Sequence, residues 1–217
     1  LGVADDGDEG ASMGAVEPDV LMESEGVARR VRYSRLSKKA FPERTGESCA
    51  ASSRGRDVQE PLAYYCSMYW AADAAGNCGV ELTLLKLHPM QSELKGVKTL
   101  VLKALEQVLV DVVCEIGVDF TEVIQKYHLA PMLVCVSGLG LRKADGLRQT
   151  LRNDAREIIE RKELLEKHDL SKVVYTTAIG FINIDASLMA DEEDGNRLDD
   201  KRMHPEDYNR HSCTRKI

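Results

Sequence analysis

Gly138, Leu139 and Gly140, followed by Arg142 and Lys143, are the residues whose types and spacing best suit a chemical task. Two glycines one residue apart permit positive φ and leave the backbone uncovered, so amide N–H groups at the start of a following helix can face a ligand. Such a helix start favours an anion. Arg142 and Lys143 would fall in the first turn of that helix, where the macrodipole disfavours cations by roughly a few tenths of a kcal/mol. Stability alone would place Asp or Glu there. Two cations beside bare amides suit a nucleic-acid phosphate, a contact that attracts without reading sequence. The same residues also fit a tight turn followed by solvated basic side chains, and the spacing leaves both readings open.

The elements that must position this stretch follow from periodicity. Met132, Leu133, Val134 and Val136 precede the glycines, and Ala144, Leu147 and Leu151 follow at steps of three and four, which predicts helix, hairpin, helix. Upstream, Val97, Leu100, Val101, Ala104, Leu105, Val108, Leu109, Val112, Val113 and Ile116 predict one long helix with a continuous apolar face that must be buried, ended by Gly117. Asp119 then caps a helix with Glu122 three positions on, Val123, Ile124 and Tyr127 face inward, and Pro131 restarts the helix. After Leu151 a charged helix is expected over 156–167, with Ile158, Ile159 and Leu165 buried and its Arg, Lys and Glu side chains on the surface. Residues 172–185 are β-branched and apolar, so propensity says strand, interrupted by Gly180.

The earlier part of the chain is less regular. Residues 27–41 hold six Lys or Arg with Val27, Val31 and Leu36 as a sparse apolar stripe, a basic helix that could be a nucleic-acid face or a solvated surface. Residues 42–57 are rich in Ser, Gly and Arg and read as a loop or a corrupted helix. A helix starting at Pro61 is expected to reach Trp70, then a turn over 76–79, then a strand over 80–87 stopped by His88-Pro89.

Composition bounds the rest. With 43% apolar residues a real core is expected. The net charge of −7 belongs to the start of the chain: residues 1–25 hold eight acidic and no basic residues, leaving 29 basic against 28 acidic, or +1, for residues 26–217. No run approaches the ~18 apolar residues of a membrane helix, so no membrane role is expected. The chain starts with Leu, so a piece of a longer protein is expected. Six cysteines without C-x-x-C pairs read as reduced thiols. His204, His211 and Cys213 are the one loose grouping with metal-ligand chemistry, and neither a metal nor a cofactor is expected. No nucleophile, base and acid can be grouped, so no enzyme is expected either.

Several short stretches, in order, resemble landmarks of one family: Gln59-Glu60-Pro61-Leu62, residues 85–91 (Leu-Lys-Leu-His-Pro-Met-Gln), Gly117-Val118-Asp119, residues 136–144, residues 178–184 (Ala-Ile-Gly-Phe-Ile-Asn-Ile) and residues 202–208 (Arg-Met-His-Pro-Glu-Asp-Tyr). The family is the eukaryotic transcription elongation factor and histone chaperone called suppressor of Ty six, related to the bacterial Tex proteins. The resemblance implies a mainly α fold: a tandem helix-hairpin-helix module with a long connecting helix, preceded by a remnant of an α/β RNase H-like (YqgF) domain. Composition marks residues 1–19 as an acidic disordered tail and residues 186–200 as an acidic loop, and the resemblance implies the YqgF remnant over 20–79, a strand and long helix over 80–118, the helix-hairpin-helix region over 119–185 and the start of a death-like domain within 186–217. The resemblance also replaces the strand over 172–178 by a helix. A second hairpin would fall at 166–171, where the absence of glycine makes it structural.

The implied function is transcription elongation in the nucleus. Gly138, Leu139, Gly140, Arg142 and Lys143 would touch a DNA or RNA backbone. RNA polymerase II is the implied partner, and histones and nucleosomes would be met through modules outside this chain. The alternatives are a Tex-like RNA-binding factor and a YqgF-type nuclease fold, the latter short of the strands that would hold catalytic carboxylates.

Overall fold

The computed structural model describes residues 20, 22, 24–71, 78–85, 88–92, 96–154, 161–166, 170–184 and 198–208. Helices dominate. α1 (Gly26–Val31), α2 (Arg35–Ala40), α3 (Gly46–Gln59) and α4 (Pro61–Trp70) precede the long α5 (Lys98–Ile116). Then come α6 (Phe120–Gln125), α7 (Gly140–Asp154), α8 (Glu163–Glu166) and α9 (Lys172–Ala178). The strands β1 (Val118–Asp119) and β2 (Ile182–Asn183) pair in parallel, Val118 opposite Ile182 and Asp119 opposite Asn183. This pairing stitches together the two ends of the region that contains the hairpin.

Local chemistry explains most boundaries. Asp119 caps α6, its carboxylate accepting the amides of Thr121 at 2.8 Å and Glu122 at 3.2 Å. Gly117 ends α5 at φ +83°, as its position predicts. Pro61 opens α4, where its missing N–H costs nothing. The Ser- and Arg-rich stretch resolves in favour of helix: Thr45 caps α3 through Ser48 N–H, and Cys49 and Ser53 supply the buried side, with Ser53 hydrogen-bonded to Tyr64 of α4.

Elsewhere the structure corrects the sequence reading. The basic helix over 27–41 is broken at Arg32–Ser34, where Ser34 caps a new helix. The strand expected over 80–87 is, in its described part, a 3-10 turn at Glu81–Leu84. That turn packs Leu82 (2% exposed) beside Val31, Tyr64 and Met68, a small core that a lone strand could not have closed. Pro131 does not restart an α-helix; it lies inside a 3-10 segment, Tyr127–Cys135, whose Tyr127 is half exposed instead of inward. Residues 172–183 are α9, a 3-10 turn at Ile179–Phe181 and then β2: the helix that the resemblance implies over 172–178 is present, and the strand that propensity alone predicts there is not, because the local β-propensity of Val173, Val174 and Thr176 yields to tertiary packing of Val174 and Ala178. Of the charged helix expected over 156–167, residues 156–160 and 167 lie outside the described residues, Ile158 and Ile159 among them, and Glu163–Glu166 is helical as α8.

The apolar face of α5 is only partly covered. Leu102, Leu105, Leu109 and Val113, at steps of three, four and four, meet the neighbouring elements, and Val113 is fully buried. Leu100, Val108 and Ile116 remain more than half exposed. Ten apolar positions span a wider arc than one packed stripe can use.

The main core joins α4 and the Tyr127–Cys135 segment with α6, α7, α9 and the strands. Phe120, Leu133, Leu164, Ile179, Ile182 and Ile184 at its centre are almost wholly buried. Cys66 and Cys135 lie there as free thiols in mutual contact, and this contact together with burial pushes the Cys66 thiol far up. Among the described residues, no helix is long and apolar enough to cross a membrane.

Candidate nucleic-acid interface

The hairpin is built as the glycines predict, with one arm altered. The 3-10 segment Tyr127–Cys135 brings the chain up, Val136 bends it, and Ser137–Leu139 turn it into α7. Gly138 and Gly140 have φ of +92° and +63°. Their surroundings differ. A Cβ on Gly138 would lie 2.9 Å from Thr177 Cβ and 3.0 Å from its Cγ2, whereas one on Gly140 would meet nothing within 4 Å. Gly138 is therefore needed twice, for its backbone and for the approach of α9, and Gly140 for its backbone alone.

The three turn residues divide their tasks. Leu139 is 3% exposed and anchors the tip in the core, its N–H donated to Val136 carbonyl at 3.2 Å. Gly138 and Gly140 are exposed on either side of it. Ala144 and Leu147 hold α7 down on its inner face, at 2% and 3% exposure. With that face fixed, Arg142 and Lys143 point to solvent, and neither makes an ion pair among the described residues. The first turn of α7 contains no acidic residue. Of the five residues singled out from sequence, Gly138, Gly140, Arg142 and Lys143 are exposed and Leu139 is buried.

Arg148, also on α7, has a different use. Its guanidinium stacks 4.1 Å from the Trp70 ring centre and 5.4 Å from that of Tyr127, and pairs with Asp145 at 2.9 Å. These aromatics hold α7 against the end of α4 and the start of the 3-10 segment. They are occupied, so they do not form an open platform for stacked bases.

Two further contacts fix what lies behind the hairpin. Ser137 N–H donates to the sulfur of Cys114, in the last turn of α5, at 3.4 Å. Thr177, against Gly138, donates its hydroxyl to Val173 carbonyl within α9 at 2.8 Å. The turn is therefore seated between the C-terminus of α5 and the outer side of α9.

Sequence reasoning missed one residue altogether. Arg161, read as part of a solvated charged helix, is 0% exposed. Its guanidinium donates to the carbonyls of Met203 and Lys201, both at 2.6 Å, to Tyr208 hydroxyl at 3.0 Å and to Asn183 Oδ1 at 3.2 Å. Its own amide donates to Asp199 Oδ2 at 2.9 Å, and Asp199 Oδ1 accepts from Tyr208 hydroxyl at 2.6 Å. Burial and then the bond to Asp199 push the Tyr208 pKa up. Nε of Arg161 has no partner among the described residues. Nothing in its immediate neighbours signals this role, because its partners lie 22 to 47 positions away. Arg161 clasps the segment 198–208 onto β2.

His204 of that segment is equally committed. Its Nε2 lies 2.9 Å from Thr176 carbonyl and its Nδ1 accepts the Glu206 amide at 3.3 Å. It has no free nitrogen for a metal, and His211 and Cys213 lie outside the described residues. Among the described residues no group of His, Cys, Asp and Glu could hold a metal ion.

Comparison with known proteins agrees with this geometry. Residues 80–185 match the family model described as a helix-hairpin-helix motif. The chain is 35% identical over 188 residues to a transcription elongation factor SPT6-like protein of Arabidopsis thaliana, covering 85% of this chain and 13% of that protein. It is 30% identical over 195 residues to transcription elongation factor SPT6 of Candida albicans, covering 87% and 13%. Against transcription elongation factor spt6 of Schizosaccharomyces pombe it is 30% identical over 200 residues, covering 91% and 13%. The chain thus spans about an eighth of the length of these relatives.

Proposed function

This chain is SPT6-like over most of its length, and on that premise we propose that it supplies the helix-hairpin-helix part of a transcription elongation factor, in which the 138–143 hairpin touches nucleic-acid phosphates. The observation that carries the reading is the turn itself. Gly138 and Gly140 are exposed at positive φ, and Arg142 and Lys143 extend from the first turn of α7 with no carboxylate partner among the described residues. Cations placed where the helix dipole opposes them gain by meeting an external anion. The contact would attract DNA or RNA without selecting sequence, as suits a factor travelling along a template. In the whole protein, this module would act in the nucleus beside RNA polymerase II on chromatin, with histones met elsewhere in the longer chain. It would bind and carry out no catalysis.

A scaffold role has its own observation. Gly138 is required by the approach of Thr177, and Leu139 by the core, whether or not a ligand is present. Fluorescence anisotropy decides between them, with a labelled duplex and a single strand at about 50 and 200 mM salt. Contact predicts salt-sensitive binding that is lost in the Arg142→Glu/Lys143→Glu double variant while its melting temperature holds. Equal binding by wild type and variant, or none by either, leaves the scaffold.

A further inference from the structure

The hairpin turn sits beside the negative end of the longest helix. α5 runs for 19 residues and has no basic residue in its last turn, so no side chain of the helix itself offsets the partial negative charge of its terminal carbonyls. Ser137 of the turn rests on Cys114 in that last turn. A polyanion arriving at the hairpin would meet this negative pole.

One cation offsets it, and it comes from 88 positions along the chain. Arg202 Nη2 donates to the Cys114 carbonyl, one of the helix's four unpaired acceptors, at 2.7 Å. Arg202 packs against Gly117: a Cβ there would be in ordinary van der Waals contact, 3.5 Å from Arg202 Nε and 3.6 Å from Asn183 Nδ2. Arg202 is nevertheless exposed and makes no ion pair among the described residues. A guanidinium has five N–H donors, so a bond to one carbonyl orients it and leaves donors facing outward. Its position is set from both sides. Arg161 takes the carbonyls of Lys201 and Met203, its immediate neighbours, and His204 meets Thr176 on α9.

We infer that Arg202 is a further phosphate-contacting residue, which the docked 198–208 segment brings beside the hairpin. The nucleic-acid surface then has two parts: Arg142 and Lys143 on α7, and Arg202 at the C-terminus of α5 across Ser137. Arg161 is a positioning residue that acts through the segment it clasps. The ligand is a phosphodiester backbone long enough to present phosphates to both parts, and the inference rests on the hairpin reading given above.

The test uses the whole chain and a labelled duplex of about 20 base pairs at about 50 and 200 mM salt. Each phosphate neutralised contributes about 0.9 to the slope of log affinity against log salt, so losing one contact shrinks the change in Kd across this fourfold span by about 3.5-fold. Arg202→Gln is expected to bind more weakly at the lower salt and to show that shrinkage, and Arg202→Lys, which keeps the charge, to restore the wild-type ratio. A wild-type ratio in Arg202→Gln, alongside lost binding in Arg142→Gln/Lys143→Gln, overturns the role of Arg202 and leaves the hairpin standing. A wild type without salt-sensitive binding overturns both. Phenylglyoxal labelling of wild-type protein, read by peptide mass spectrometry, tests the same contact without any variant: duplex should protect Arg142 and Arg202 together, and protection of Arg142 alone refutes the inference.

Discussion

Replacing Gly138 and Gly140 in turn by alanine isolates what the approach of α9 requires of the hairpin. Both glycines have positive φ, so each alanine carries a backbone cost of about 1–2 kcal/mol. At Gly140 nothing lies within 4 Å of the new methyl group, and the cost should end there. At Gly138 the methyl would sit 2.9 Å from Thr177 Cβ and 3.0 Å from Cγ2, closer than two carbons can pack. Either the turn or α9 must shift, which adds about 1–3 kcal/mol of overpacking. Gly138→Ala should therefore cost about 2–5 kcal/mol in total. Urea unfolding followed by the fluorescence of the single tryptophan, Trp70, which packs against the main core, would measure both changes as midpoint shifts at constant m. Thr177→Gly removes both obstructing atoms, so in that background Gly138→Ala should cost no more than Gly140→Ala, giving a coupling of about 1–3 kcal/mol in the double-mutant cycle. Equal costs at the two glycines, or a coupling under about 0.5 kcal/mol, would refute the claim that α9 presses on the turn.

Two further outcomes follow from the clasp around Arg161. Arg161→Met strands the carbonyls of Lys201 and Met203 and Asn183 Oδ1, while Tyr208 hydroxyl keeps its bond to Asp199. That should cost about 3–5 kcal/mol and lower the melting temperature by about 6–20 °C in calorimetry, for a chain of this length; an unchanged melting temperature would mean that the clasp contributes nothing. The second concerns alkaline pH. Because the folded state holds Tyr208 protonated above its ordinary pKa of 10, the stability it contributes is complete below pH 10 and declines as pH rises further. Denaturant titrations from pH 9 upward should show a shallower loss in Tyr208→Phe than in wild type, and parallel curves would place Tyr208 outside the linkage.

Legibility differed from one element to the next for physical reasons. The long helix, the Asp119 cap, the Pro61 start and the two positive-φ glycines are signalled within a few residues of themselves. A cap satisfies amides two and three positions away, and a glycine's freedom is a property of its own backbone. Residues 172–178 show the opposite case: β-branched side chains pull locally toward strand, yet burial of Val174 and Ala178 against the core makes them helix. The 3-10 path of Tyr127–Cys135 was hidden likewise, because Pro131 fits a helix start as well as a 3-10 interior.

The candidate site divides along the same line. Sequence alone determined the pair of glycines and the cations Arg142 and Lys143, since turn chemistry and charge are carried by neighbouring residues. Whether those cations face solvent depended on which side of α7 the core would take, and the burial of Ala144 and Leu147 settles it. Only the tertiary structure could reveal that Arg161 is buried and that Arg202 reaches Cys114. Both depend on polar partners tens of positions distant. Local periodicity treats each charged side chain as solvated until the chain folds back and offers it carbonyls in place of water.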